Sequence, residues 1–364
     1  MEFNTLETPA LMLDLDRLKA NAQRMLKHCM DNGLFLRPHL KTSKSIDVAN
    51  IATGGRRRGL TVSTLAEAEH FAKAGYEDIL YAVGITPNKF DRVQSIFDKT
   101  GEKSVLVLDS LEMAIAVAES GLDNRVLVEI DCGESRGGLS PDDPALLLIA
   151  RRLGAQFDGI MSHAGHSYST DQIAVVKEIA KAEIGASVQA ANKIRAAGIP
   201  VSVVSIGSTP TVFYADDFSG ITEVRAGIYL FNDLSQYGRN ICHLDDIAMT
   251  VLATVIGHNR EAGVLTVDAG ALAMSKDIGA NNFLPEAKYG WLCDAHTLEP
   301  IGLAIDVVHQ EHGSVKIDEP RKFDQLPIGS MVRILPGHAC LTAAGGYGKF
   351  HLTNGKIWPR LDGW

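Results

Sequence analysis

The chain has 364 residues, 46% of them hydrophobic and 22% charged, an ordinary globular balance with room for one large domain and a smaller one. Its 35 Lys+Arg against 44 Asp+Glu give a formal net charge of −9, which argues against a general binder of nucleic acid or anionic membrane, so a local cluster of cations points to a small anion. No apolar run approaches a membrane span. The start "MEFNTLETPALMLDLDRLK" carries no basic leader with a long apolar stretch behind it, and the five scattered cysteines read as reduced thiols of a cytoplasmic protein.

Short apolar segments alternate with amphipathic ones over the first two thirds of the chain. The expected strands are "LFLRP" (34–38), "GLTVS" (59–63), "ILYAV" (79–83), "SVLVL" (104–108), "RVLVEID" (125–131), "FDGIMSH" (157–163), "VSVVSI" (201–206) and "EVRAG" (223–227). They are nearly continuous in Val, Ile and Leu, the pattern of parallel strands covered on both faces. Helical spacing lies between them at 64–76, at 110–120 behind a capping Ser110, and at 171–198. Eight such units predict a (β/α)8 TIM-type barrel, in preference to an open doubly wound sheet. From about Asp245 the texture changes to hairpin-like pairs, with an Asn-Gly turn in "KFHLTNGKIWPRL". We therefore expect a barrel over 16–244 and a mainly β domain from 245–364, with 1–15 joining it through "ALMLDL".

Barrel active sites lie at the C-terminal ends of the strands. The residues there are polar and Gly-rich: His39 and Lys41, Ser63 and Thr64, Asp109, Asp131 to Arg136, His163 to Tyr168, Gly207 to Thr211, and Gly227 to Tyr229. "SIGSTPT" and "RAGIY" follow the last two strands, the corner where barrels frequently hold phosphate. Lys41 closes "FLRPHLK", and Arg37, His39, Lys41 and Lys44 lie within eight residues without an acid. Neighbouring cations favour a neutral lysine amine, which makes a nucleophile. A phosphate-bearing carbonyl cofactor uses both features, which points to pyridoxal phosphate (PLP).

"TPALMLDLDRLKAN", "RPHLKTSK", "DCGESRGG", "HAGHSY", "SIGSTPT", "EVRAGIYLF" and "PGHAC" together resemble the D-threonine aldolase and D-serine dehydratase family, PLP enzymes of the alanine-racemase-like fold type. The resemblance runs from Thr8 to Cys340. It implies that Lys41 is the Schiff-base lysine and that Arg136 bonds the cofactor's phenolic oxygen. It places Tyr168 opposite the pyridine nitrogen and the phosphate on Gly207, Ser208, Thr209, Gly227 and Ile228. It assigns His338 and Cys340 to a divalent metal. A lone His-x-Cys is by itself weak evidence, but an imidazole and a thiolate two apart on the strand-like "GSMVRIL" run would face one side and could share a metal. The thiolate favours Zn²⁺ over Mn²⁺ or Mg²⁺. Cysteine in the second place leans towards dehydratases, whereas some aldolases of this family carry Asp.

The expected activity is a metal-assisted PLP lyase acting on a β-hydroxy-D-amino acid, with D-serine, D-threonine and 3-hydroxy-D-aspartate as substrates in view, by dehydration or aldol cleavage. The resemblance also implies a homodimer. An amino-acid racemase of the same fold fits less well, because racemases set Arg against the pyridine nitrogen and have no metal site. A non-catalytic PLP-binding barrel lacks the second domain, and a phosphate-binding barrel without PLP is separated by the absence of an aldimine absorbance that Lys41→Ala abolishes. "VHQEHG", with Glu311 and His312, is either a support for the site or a solvated turn. "VDAGALAMSKD" (267–277) resembles the family without an assignable role.

Overall fold

A computed structural model describes residues 3–364; Met1 and Glu2, which belong to the expected 1–15 segment, lie outside the described residues. The chain divides into two compact units. One runs from Ala22 to Gly227, and the other takes the chain up to Asn21 together with Ile228–Gly363.

Among the described residues the first unit holds eight parallel strands, in the order Phe35–Leu36, Glu223–Val224, Val203–Ile206, Phe157–Ser162, Val126–Ile130, Val105–Leu108, Glu77–Gly84 and Arg58–Val62. A parallel bridge between His39 and Thr61 closes the ring, supported by Leu40 N–H to the Thr61 carbonyl at 2.9 Å and Thr61 N–H to the Pro38 carbonyl at 3.0 Å. That closure makes it a barrel and excludes the open sheet. The strands read as nearly continuous apolar runs because helices cover their outer faces while the ring buries the inner ones. Helices begin where hydroxyl caps allow: Thr64 takes the N–H of Glu67 at 3.1 Å, and Ser110 takes that of Met113 at 3.3 Å. The 173–196 helix turns Val176, Ala180, Glu183, Ser187, Ala190 and Ile194 inward, so a carboxylate and a hydroxyl interrupt its apolar stripe.

The second unit is built on a mostly antiparallel sheet. Its long strand Met249–Asn259 pairs with Ala10–Leu13 and with Met331–Pro336, and the latter pairs in turn with Gly290–Asp294. "ALMLDL" does join this sheet, with Ala10 opposite Leu252 and Met12 beside His351. Val264–Val267, Gly313–Lys316 and Val307–Val308 extend it past a register shift between Val255 and Gly257. Residues 228–244, expected with the barrel, cluster here instead. Phe231 stacks on Phe350 with ring centroids 5.8 Å apart, and Leu234 shares a core with Ile247, Cys293 and Leu335. Among the described residues no helix is long and apolar enough to cross a membrane, and none of the five cysteines forms a disulfide.

Candidate active site

The four cations of "FLRPHLKTSK" have four different fates. Arg37 is buried, its Nε 3.0 Å from Glu223 and its NH2 3.0 Å from Asp78. Both carboxylates sit at strand starts, the end of the barrel away from the catalytic rim. Lys44 lies 3.6 Å from the buried carboxylate of Glu67. Burial holds the His39 imidazole well below its usual pKa, with Lys41, Arg225 and His163 adding to the effect. Lys41 alone of the four is exposed. The expectation that Arg37 and Lys44 form the electrostatic setting of Lys41 is therefore corrected: a guanidinium or ammonium that leaves water needs a carboxylate, and Arg37 has taken two and Lys44 one. His39 does touch the lysine segment. Its Nδ1 accepts the Lys41 N–H at 3.4 Å, which puts the ring proton on Nε2, 3.4 Å from Ser63 Oγ.

The other expected residues gather on the same rim. The Nδ1–H of His163 donates to the Gly207 carbonyl, and Arg225, Arg136 and Lys41 all act on its charge. Burial and these cations push His163 down to about 3. Arg136 is exposed, with its guanidinium 3.4 Å from Glu129 and 3.5 Å from Glu134. Gly207 donates its N–H to Glu183 at 3.1 Å. Ser208 caps the Thr209–Tyr214 helix, and its hydroxyl is 2.9 Å from both Ser167 and Thr211 Oγ1, so it serves the loop itself. The Thr209 N–H donates to the Tyr168 hydroxyl at 3.2 Å, which sets Tyr168 against the expected phosphate cup. A Cβ at Gly207 would come within 2.8 Å of the Arg225 backbone nitrogen, and one at Gly227 within 2.6 Å of the His39 carbonyl. Close packing of neighbouring strand ends therefore requires both glycines. Ile228 follows at the start of a short 3-10 turn, Ile228–Leu230.

In the second unit, His338 and Cys340 lie beyond the strand Met331–Pro336. His338 has extended backbone and caps the helix Ala339–Ala343, whose second residue is Cys340. The pair is thus not strand-borne, as its spacing suggested; Gly337 ends the strand, and Asp233 captures the Ala339 N–H at 2.8 Å to start a helix. The two side chains still meet. Burial disfavours the charged His338 ring, but a hydrogen bond to Asp277, another to Cys340 and the charge of Asp233 outweigh it and raise its pKa to about 10. Cys340 is half-buried, whereas the other four cysteines are buried, and burial pushes the thiols of Cys29, Cys132 and Cys293 up to about 12. Among the described residues no three His, Cys, Asp or Glu side chains are arranged as a closed metal cage.

Residues 13–235 match the family described as alanine racemase, N-terminal domain, and residues 248–351 match the putative serine dehydratase domain. The chain is 41% identical to the D-threo-3-hydroxyaspartate dehydratase of Delftia sp. (strain HT23), over 99% of this chain and 98% of that protein. It is 31% identical to a D-serine dehydratase of Dictyostelium discoideum (97% and 95% covered) and 30% identical to a D-threonine aldolase of Arthrobacter sp (91% and 85%). The chain belongs to this family of fold type III PLP enzymes. The solved Delftia dehydratase superposes with a TM-score of 0.94 at 40% identity, covering 100% of this chain and 99% of that one, as does its cysteine-to-alanine variant in a metal-free form.

As a PLP lyase of this family, the chain offers donors that fit the cofactor. Lys41 stands exposed at a strand end, and among the described residues the N–H groups of Ser208 and Gly227 find no acceptor. An imidazole and a thiol in contact likewise suit a divalent ion of intermediate softness. Three residues of these sites escaped the sequence reading. Arg225 was passed over inside a Gly-turn motif, yet it is buried and bonds Ser205 and the Ser162 carbonyl. Glu183 was legible as an acid on the buried stripe of its helix. Asp277, 61 residues from His338, left no local signal.

Proposed function

We propose that the protein is a PLP-dependent, metal-assisted dehydratase of a β-hydroxy-D-amino acid, with 3-hydroxy-D-aspartate as the preferred substrate class. The observation that carries it is the exposure of Lys41 at the rim while its three neighbouring cations are paired or held neutral. In this reading the barrel unit binds the cofactor and the β-rich unit carries the metal ligands. When bound, PLP supplies an electron sink that stabilises negative charge at the substrate Cα. Lys41 Nζ would hold the cofactor carbonyl and, as a free amine, would serve as the base for the substrate α-proton. Arg136 holds the phenolic oxygen. The N–H groups of Gly227 and Ile228, with those of Ser208 and Thr209, receive the phosphate, and Gly207 shapes that turn. Tyr168, whose hydroxyl accepts the Thr209 N–H, would lie against the ring nitrogen. His338 and Cys340 hold a divalent metal, Zn²⁺ by its preference for thiolate, and that ion supplies Lewis acidity for departure of the β-hydroxyl.

Dehydration is favoured over aldol cleavage by the cysteine in the second ligand place and by the 41% identity to a dehydratase. The test is to incubate the protein with D-serine, D-threonine and 3-hydroxy-D-aspartate, with and without EDTA, and to measure ammonia, keto acid and glycine separately. Ammonia with keto acid, lost in EDTA, is expected. Glycine without ammonia would replace the dehydratase reading by an aldolase. A wild-type protein without a visible cofactor band, or a band that survives Lys41→Ala, would sink the PLP assignment to Lys41.

A further inference from the structure

The motif "VDAGALAMSKD" has no role in the reading above, yet its last residue reaches His338. Asp277 is held at both oxygens. Oδ1 accepts the Gly279 N–H at 2.7 Å, and Oδ2 accepts the Nδ1–H of His338. The segment that carries it is tied to the His338–Cys340 turn by two further bonds. Thr342 Oγ1 donates to the Met274 carbonyl at 3.0 Å, and the Tyr347 hydroxyl donates to the Ala273 carbonyl at 3.0 Å. Asp233 steadies the other side of the turn through the Ala339 N–H. The carboxylate is therefore fixed by its own loop before it meets the imidazole.

A histidine that donates one ring N–H to a fixed carboxylate presents the other nitrogen, in one orientation, as a ligand. We propose that Asp277 is the positioning residue of the metal centre: it commits His338 Nδ1 as donor, leaves Nε2 as the ligating atom beside the Cys340 thiolate, and is not itself a ligand. This rests on the assignment of His338 and Cys340 to the metal. It gives the 267–277 motif a function, which is to deliver one carboxylate to a histidine far along the chain.

The test uses the metal-stripped protein and needs no turnover. Zn²⁺ affinity is measured by competition with a chromophoric chelator in wild type, Asp277→Asn and Cys340→Ala, each checked for an unchanged melting transition. Asp277→Asn should bind about 10- to 100-fold more weakly. Its Co²⁺-loaded form should keep the thiolate-to-metal absorption of wild type, because the ligands are the same. An unchanged Zn²⁺ affinity would overturn the proposal, and so would a Co²⁺ spectrum showing a lost oxygen ligand. Should Asp277→Asn fail to fold, wild type loaded with ¹¹³Cd²⁺ decides by NMR. Coupling of the metal to His338 Nε2 with a proton retained on Nδ1 supports the proposal, and coupling to Nδ1 overturns it. Wild-type affinity in Cys340→Ala would instead refute the His338–Cys340 assignment, and with it the role built on it.

Discussion

Glu183 accepts the N–H of Gly207 at 3.1 Å, and the same oxygen takes the N–H of Ala164 at 3.1 Å. One buried carboxylate on the 173–196 helix thus fastens the loops after two adjacent barrel strands. Its other oxygen receives the Thr211 hydroxyl at 2.8 Å. Burial raises the Glu183 carboxyl above its ordinary range despite these donors. Glu183→Ala would strand three donors and should cost about 3 kcal/mol or more, with weaker PLP retention. Glu183→Gln keeps an oxygen for both N–H groups and can donate to Thr211, so it should stay within about 1 kcal/mol of wild type. Urea unfolding separates them, and equal loss in both variants would refute this account.

Arg37 should be a stability residue. Arg37→Met leaves Glu223 and Asp78 without their buried partner, although Arg125 and Arg58 still reach Asp78. The expected loss is about 3–5 kcal/mol, and a second change, Glu223→Gln, should recover part of it. Denaturant midpoints measure this. A stable Arg37→Met protein with impaired cofactor binding would mean that Arg37 serves the site after all.

Acid should weaken the barrel through His163. Its ring is held neutral down to about 3 by burial, Arg225, Arg136 and Lys41, whereas the unfolded ring takes up a proton near its ordinary value of 6.5. Between these values the unfolded state binds more protons, so stability falls as pH falls through this window. By pH 5 the single group is worth about 2 kcal/mol. His39 adds in the same direction. His163→Asn should flatten the dependence of melting temperature on pH between about 6.5 and 4. A slope identical to wild type would exclude His163 as its source.

Cys340→Asp should alter metal choice more than fold, since Cys340 sits half-buried in the first turn of a short helix. Replacing thiolate by carboxylate lowers preference for Zn²⁺ relative to Mn²⁺, on the order of tenfold. Competition between the two ions on stripped protein reads it directly. An unchanged ratio would place the metal elsewhere.

The barrel was legible because both of its periods are local. Apolar runs of strand length alternate with helical stripes, and the strand ends carry the polar residues. The exposed position of Lys41 was legible for the same reason, since it follows the end of an apolar run. Arg37 was misread because its partners, Glu223 and Asp78, are neighbours only once the ring is closed. His338 and Cys340 were assigned to a metal by resemblance, with a strand expected under them; Asp233, 106 residues away from Ala339, makes that segment a helix start. Residues 228–244 pack with the second unit through long-range contacts such as Phe231 on Phe350 and Leu234 with Cys293 and Leu335, which no periodicity reports.

The His39–Thr61 bridge bears on how the proposed site is held together. The backbone of His39 completes the ring, its carbonyl abuts Gly227, and its imidazole holds the Lys41 N–H. The Lys41 segment and the Gly227 turn thus come into register at the backbone of His39, between the first two barrel strands of the sequence. On the proposed reading, a barrel without this contact would keep the lysine but lose one wall of the phosphate site, so the absorbance of the bound cofactor would report on the integrity of that junction.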